Sequence, residues 1–356
     1  MDGARHAEAR AQSEIQMKWT EVDDPAEWDR FITANGGSIF HQWGWRKVLE
    51  GEGVEPLYLA CRDRTGAMVA ACPFFYQTGK HHLSYLNSLP DSLMAGPVIA
   101  DVPKQEQIIE SMRKSRSFPI VAMRVRVHDP AVIKLLQSLK FKHTPVAHSL
   151  FILNLQECPP RYVWDHGFER HDRRAVTTYE KLHADFRFAE KDEDFQAYLS
   201  LEAGTSWGHS GDLVAEKELL VSRLSKMRQH LGDKLKLALT TMDGKVMVGL
   251  PLLCDPAIGT VHAIKALRYC PERNVHEPMA NTTFINWKAI NWAFDNGFKH
   301  VVLGSYRISD SSNPEHDFYR LRKRFALTIV PWYEFILPTS TVYPLASSIN
   351  KLVGRQ

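Results

Sequence analysis

Between Lys234 and Phe325 the apolar positions come in short runs separated by turn residues. The order reads strand, turn, strand, turn, strand, loop, helix, strand, basic helix. Residues 235–241 (LKLALTT) form one apolar-rich run and residues 246–254 a second, each of strand length and too short for a typical helix. Asp243-Gly244 lies between them, and Asp-Gly between two such runs signals a tight hairpin. Asp255-Pro256 and Gly259 make the next turn, and 260–267 is a third strand. Residues 281–296 switch to helical spacing: Ile285, Ala289, Trp292 and Ala293 form one stripe, which Phe284, Trp287 and Ile290 widen. Gly297 stands where a helix C′ glycine belongs, and 301–303 is the strand beyond it.

The pattern occurs twice. Residues 59–75 (LACRDRTGAMVAACPFF) set above 237–253 (LALTTMDGKVMVGLPLL) match without gaps at Leu59/Leu237, Ala60/Ala238, Gly66/Gly244 and Pro73/Pro251. Each half continues through a further strand to a helix and a strand, 105–113 then 120–127 in the first and 281–296 then 301–303 in the second. Two copies of one α/β unit follow from this repeat.

These elements carry a resemblance. A helix ending Trp292-Ala293-x-x-x-Gly297-Phe298, a strand ending Leu303-Gly304 and a basic segment Phe318-Tyr319-Arg320-Leu321-Arg322-Lys323-Arg324-Phe325 resemble the FemAB-type branch of the GNAT-like acyltransferases. Phe40-His41-Gln42-Trp43-Gly44-Trp45 is similar to an early helix start of that family. The likeness runs from about Trp19 to Leu337. It implies an α/β (α+β) fold of two tandem GNAT-like domains, each a mixed, largely antiparallel sheet flanked by helices. It also implies acyl transfer to an amine, with aminoacyl-tRNA as the family's associated donor. Two departures stand out. The acetyl-CoA branch has a glycine loop for pyrophosphate, whereas 273–278 here is Arg-Asn-Val-His-Glu-Pro, without glycine and with a repelling Glu277. Where the family shows F-K-x-x-F-G, this chain has Arg322 for the lysine and Ala326 for the glycine.

A length of 356 residues suits two domains. Expected boundaries are a disordered 1–16, an N-terminal domain at 17–157, a C-terminal domain at 158–340 and a tail at 341–356, with Cys158-Pro159-Pro160 as the divider. The composition is that of an ordinary globular protein, with 44% hydrophobic and 24% charged residues. A net charge of +3 is too small to argue nucleic acid or membrane by itself, and no DNA partner is expected. No apolar run reaches the roughly 20 residues of a membrane span, and the N-terminus has no signal-peptide core. Five dispersed cysteines without metal spacing suit reduced thiols and a cytoplasmic setting, in solution or peripheral at the inner membrane face.

Residues 161–182 carry Arg161, Arg170, Arg173, Arg174 and Lys181, with His166, His171 and His183 nearby. They make either a solvated basic face or an anion site for phosphates or a tRNA backbone. His166 and His171 are spaced poorly for one metal. Gly204-x-Ser206-x-Gly208 mimics a nucleophile elbow, but a helix precedes it and His209 and Asp212 are too near in sequence to complete a triad. That loop, with Trp207, is read instead as bordering a substrate pocket.

The chemistry implied is direct attack of an amine on an ester or thioester carbonyl, which needs alignment, oxyanion stabilisation and proton removal. Arg322 and Lys323 are the catalytic candidates. Lys265, Arg268, Arg273, Trp207, Arg173 and Arg174 are the substrate-binding ones, and no metal ligand is assigned. No cofactor is expected to be tightly bound. The co-substrate is an acyl donor, aminoacyl-tRNA or acyl-CoA, and the partners are a small-molecule or lipid-linked amine acceptor, such as a cell-envelope precursor, and tRNA. The other reading is a catalytically silent protein holding an anionic partner in a basic cleft.

Overall fold

The structure is a computed structural model and describes residues 17–78, 84–88, 95–100, 102–114, 122–127, 130–139, 141–144, 148–201, 213–264, 266–268, 277–307 and 317–338. Its strands in chain order are β1 (Lys18–Glu21), β2 (Glu55–Arg62), β3 (Met68–Thr78), β4 (Ser84–Asn87), β5 (Val98–Ile99), β6 (Ala122–Val127), β7 (Lys142–Thr144), β8 (His148–Asn154), β9 (Asp185–Phe188), β10 (Leu235–Met242), β11 (Lys245–Asp255), β12 (Thr260–Ala263), β13 (Leu267–Arg268), β14 (His300–Arg307), β15 (Thr328–Pro331) and β16 (Tyr333–Pro338). The main helices are α1 (Pro25–Ala34), α2 (Gln105–Lys114), α3 (Pro130–Ser138), α4 (Arg170–Lys181), α5 (Asp192–Ser200), α6 (Leu213–Leu231), α7 (Glu277–Asp295) and α8 (Asp317–Arg324).

Two sheets form, and their strand orders correspond one to one. The first runs β1-β2-β3-β4-β6-β16-β7, with β5 on β3; the second, from the other end, runs β9-β10-β11-β12-β14-β8-β15, with β13 on β11. Each has a single kind of parallel step, β4 with β6 and β12 with β14, and α2 or α7 makes the crossover. The tandem mixed sheets expected from the repeat are therefore present.

The strand that completes each sheet comes from an unexpected place. The sequence puts 148–155 in the first domain, yet β8 lies between β14 and β15 in the second sheet. The C-terminal β16 lies between β6 and β7 in the first. One compact unit is accordingly 1–145 with 332–356, and the other is the continuous stretch 146–331, in place of divisions at 157 and 340. The Cys158-Pro159-Pro160 turn follows β8 inside the second unit. The second unit is a circular permutation of the first, because the strand that closes the first unit's chain opens the second's.

Local chemistry explains the elements that were legible. In the β10–β11 hairpin Asp243 and Gly244 have φ of 50° and 75°, the left-handed pair that a type I′ turn needs. Asp24 caps α1 by accepting the N–H of Ala26 at 2.9 Å, with Pro25 in the first turn. The buried stripe of α7, including Phe284, Ile285, Ala289, Ile290 and Ala293, packs on the second sheet.

The ungapped repeat is off by one residue in its first strand. Leu59 pairs with Cys72 and faces the α2 side, whereas the residue opposite Leu250 on the α7 side is Ala238. Leu59 thus corresponds to Ala238 and Leu237 points to the other face. The first hairpin is one residue longer between Cys61/Ala70 than the second between Thr240/Val248, and a one-residue shift exchanges faces.

Candidate active site

Helix α8 is the basic segment singled out by sequence. Leu321 is partly buried and Phe325 fully so, with the Phe325 ring edge-on to Phe168 at 5.4 Å. The helix ends in a Schellman-type cap: the Leu327 N–H donates to the Arg322 carbonyl at 2.9 Å and the Ala326 N–H to the Lys323 carbonyl at 3.2 Å. Ala326 sits in the left-handed region at φ 52°, where glycine would be unstrained.

Two contacts fix α8 sideways. Arg324 Nε donates to the Asp172 carboxylate at 2.7 Å, with side chains only 11% and 3% exposed, and its Nη1 donates to Thr283 Oγ1 of α7 at 3.2 Å. Asp172 also accepts the backbone N–H of Glu169 at 3.1 Å, in the capping box that starts α4, and lies 3.3 Å from His171 Nε2. Beneath, Gly167 lets the Arg324 carbonyl approach so closely that a Cβ there would collide with it. Asp172, Thr283 and Arg324 were not singled out by sequence. Glu169-x-x-Asp172 at a helix start was the available signal.

The remaining cations divide sharply. Arg322 is half-buried and has no ion-pair or side-chain hydrogen-bond partner among the described residues. Lys323 is exposed and lies 3.7 Å from Glu169. Arg173 Nη1 donates to the carbonyls of Trp164 at 2.8 Å and Phe168 at 2.6 Å, tying down the turn before α4. Arg174 is exposed on α4. Arg268 pairs through its backbone with Val248, and its side chain is outside the description. Trp207, Lys265 and Arg273 lie outside the described residues, as does the 204–208 loop.

The sheet opens next to this helix. The β12–β14 ladder ends at His262/Val302, while β14 continues along β8 to Arg307 after a bulge between Val302 and Ser305 that contains Gly304 at φ 113°. On the other side the chain from β12 stays on β11 through β13. The two parallel strands therefore separate at their carboxyl ends, where open α/β sheets commonly receive ligands. Thr283 is in the second turn of α7, so its bond to Arg324 holds α8 beside the N-terminal part of that helix, the positive end of its dipole. Among the described residues no cluster of His, Cys, Asp and Glu could hold a metal ion. Burial pushes the Cys61 and Cys254 thiols up to about 11, so neither is a thiolate at neutral pH.

No family model matches the sequence, and no curated protein matches it closely enough to count as a relative. Solved structures do match over nearly the whole chain. FemX superposes with a TM-score of 0.68 at 12% identity, covering 92% of this chain and 99% of that one. L-PGS from Bacillus licheniformis gives 0.56 at 11%, covering 94% and 98%. A tandem GNAT protein from the clavulanic acid biosynthesis pathway gives 0.52 at 10%, covering 91% and 99%. At these identities the likeness is one of fold: the chain has the tandem GNAT-like architecture of these proteins.

Proposed function

We propose that the chain is an N-acyl- or aminoacyltransferase that moves an acyl group from aminoacyl-tRNA or an acyl thioester to an amine, the acceptor being a small molecule or a lipid-linked cell-envelope precursor. The observation that carries this reading is the position of Arg322. It is a half-buried guanidinium, without a side-chain partner among the described residues, on a helix anchored beside the opened end of β12 and β14. The fold shared with FemX, L-PGS and a tandem GNAT protein supports it. The amine attacks the carbonyl carbon directly, and the carbonyl oxygen gathers negative charge as the C–N bond forms; the tetrahedral intermediate then collapses to the amide as the C–O or C–S bond breaks and the nitrogen's proton passes to the leaving group or solvent. A guanidinium fixed in a partly dry site stabilises that charge without reorganising. Arg322 is assigned to the oxyanion or to a donor phosphate, and Lys323, exposed beside Glu169, to an outer electrostatic role. The protein would act in the cytoplasm or at the inner face of the membrane; no described helix is long and apolar enough to cross one.

Purified protein should transfer labelled acyl groups when aminoacyl-tRNA and acyl-CoA are offered separately with amine acceptors. Arg322→Ala should lower turnover about tenfold or more, the loss of one charge-assisted hydrogen bond, with an unchanged melting temperature. Full activity in Arg322→Ala and Lys323→Ala, singly and together, would remove the site assignment. Binding of a donor without transfer to any acceptor would favour the silent binding protein instead.

A further inference from the structure

The first unit carries a guanidinium of its own without a hydrogen-bond partner among the described residues, on the sheet face away from α2 and α3. Met123 and Val125 of β6 point into the core with α2 and α3, so Arg124 points out, beside Ile336, which packs against Tyr85 and Ala122. Direct cross-strand partners share a face. Phe75, Asn87, Arg124, Ile336 and Lys142 accordingly make one row across β3, β4, β6, β16 and β7.

Arg124 lies over the Tyr85 ring at 4.6 Å from its centroid, and its Nε is buried with no hydrogen-bond partner among the described residues. The acid that β16 places on this face, Glu334, is already held by Arg126 Nε at 3.0 Å. The amide of Asn87 is directed to Gln77 Oε1 at 3.0 Å. Among the described residues that β6, β16 and β7 place on this face, Arg124 and exposed Lys142 have no acidic partner, the one acid there, Glu334, being held by Arg126. An arginine cannot shed its proton, and a buried N–H without an acceptor is unfavourable. The fold does not demand this arrangement. The corresponding row of the second unit is Leu253, His262, Val302, Ile152 and Thr328, with valine in place of Arg124.

A guanidinium fork suits a planar or tetrahedral oxyanion, and two such cations suit a dianion better than a monoanion. We propose that this face of the first unit binds a phosphate-bearing ligand, with Arg124 as the principal contact and Lys142 at its exposed rim. The site is independent of the acyl-transfer reading, because binding is measured with no acyl donor present.

The test is calorimetric titration of the full chain with inorganic pyrophosphate, with acetate as the monoanion control. A sedimentation assay with phosphatidic acid vesicles, whose headgroup is a phosphomonoester, against phosphatidylcholine vesicles tells a lipid phosphate from a free one. Binding of pyrophosphate or of the anionic vesicles, but not acetate, is expected. Arg124→Gln should weaken it by about tenfold or more and Lys142→Ala by about two- to threefold. If Arg124→Gln does not melt cooperatively, Arg124→Lys, which keeps the charge and loses the fork, and Lys142→Ala decide by the same ordering. Absence of binding by the unmodified protein, equal binding of acetate, or unaltered affinity in the folded variants overturns the proposal.

Discussion

The helices α3 and α8 occupy the same place in the two units, between the fifth strand of the common order and the strand at the end of the sheet. Their caps superimpose in logic: the Leu136 carbonyl accepts from Phe141 as the Arg322 carbonyl accepts from Leu327. The residue at the first position is a fully buried leucine and at the second a half-buried arginine. Nearby strands differ in the same sense. The first unit's β6 runs along β16 without a bulge, and Ser88 extends the parallel step, its N–H donating to the Arg124 carbonyl and its Oγ accepting from the Arg126 N–H. The second unit's β14 is bulged where the step ends. One copy of the architecture has thus been closed with apolar packing where the other has been opened and charged. The two units supply equivalent strand ends, and side-chain choice at a few positions makes them differ.

The comparison can be broken most drastically at β16. Removing residues from Trp332 onward takes two fully buried side chains, Phe335 and Leu337, out of the first core, bares one edge of β6 and takes away the strand on which β7 pairs. Residues 146–331 expressed alone should keep a cooperative melt, while 1–145 alone should not. Independent folding of 1–145 would contradict the permutation.

Next in size is Asp172→Ala, which strands Arg324 in a buried setting. Losing one partner of a buried pair costs about 3–5 kcal/mol, and chemical denaturation followed by Trp fluorescence would measure it. A change under about 1 kcal/mol would mean that α8 is held by Phe325 rather than by the ion pair.

A third contrast concerns α1 and α5, the helices that follow the first strand of the common order, β1 and β9, in the two units. Asp194 accepts from Arg187 and from the N–H groups of Glu190 and Lys191, and these bonds hold its carboxyl well below the usual range. Glu27 is lowered more modestly by Arg62. A depressed carboxyl contributes stability that is complete above its unfolded value of about 4 and lost as pH falls through the folded value. Asp194→Asn should therefore cost on the order of 1 kcal/mol or more at pH 7, exceed Glu27→Gln, and flatten stability below about pH 4. Thermal melts from pH 2 to 7 give the answer.

The smallest effect has the opposite sign. Ala326→Gly should stabilise by about 1 kcal/mol by relieving the left-handed alanine, seen as a rise in melting temperature with unchanged transfer activity. A fall in activity would instead tie that strain to the placement of Arg322.

Much of this was legible in the sequence, for identifiable reasons. Asp243-Gly244 prescribes its own turn, and Phe325 with Leu321 prescribes the buried side of α8, because both signals are local. The exchange of β8 and β16 left no such trace. An apolar strand states that it needs neighbours but not which ones, and the Pro-Pro after Cys158 looked like a border while lying inside a unit. Charges misled in the same way. Arg173, Arg322 and Arg324 read alike in sequence, yet one binds backbone carbonyls, one has no side-chain partner among the described residues and one is buried on a carboxylate; only long-range contacts separate them.

The placement of β16 also sets an order of events during synthesis. The second unit is finished once Pro331 has been made, whereas the first, although its strands β1 to β7 emerge earlier, still lacks the strand that joins β6 to β7. At roughly 5–20 residues per second, the half-built first sheet waits on the order of 10–40 s with exposed strand edges. The earlier-coded sheet therefore cannot close until the whole of the later-coded unit has been synthesised.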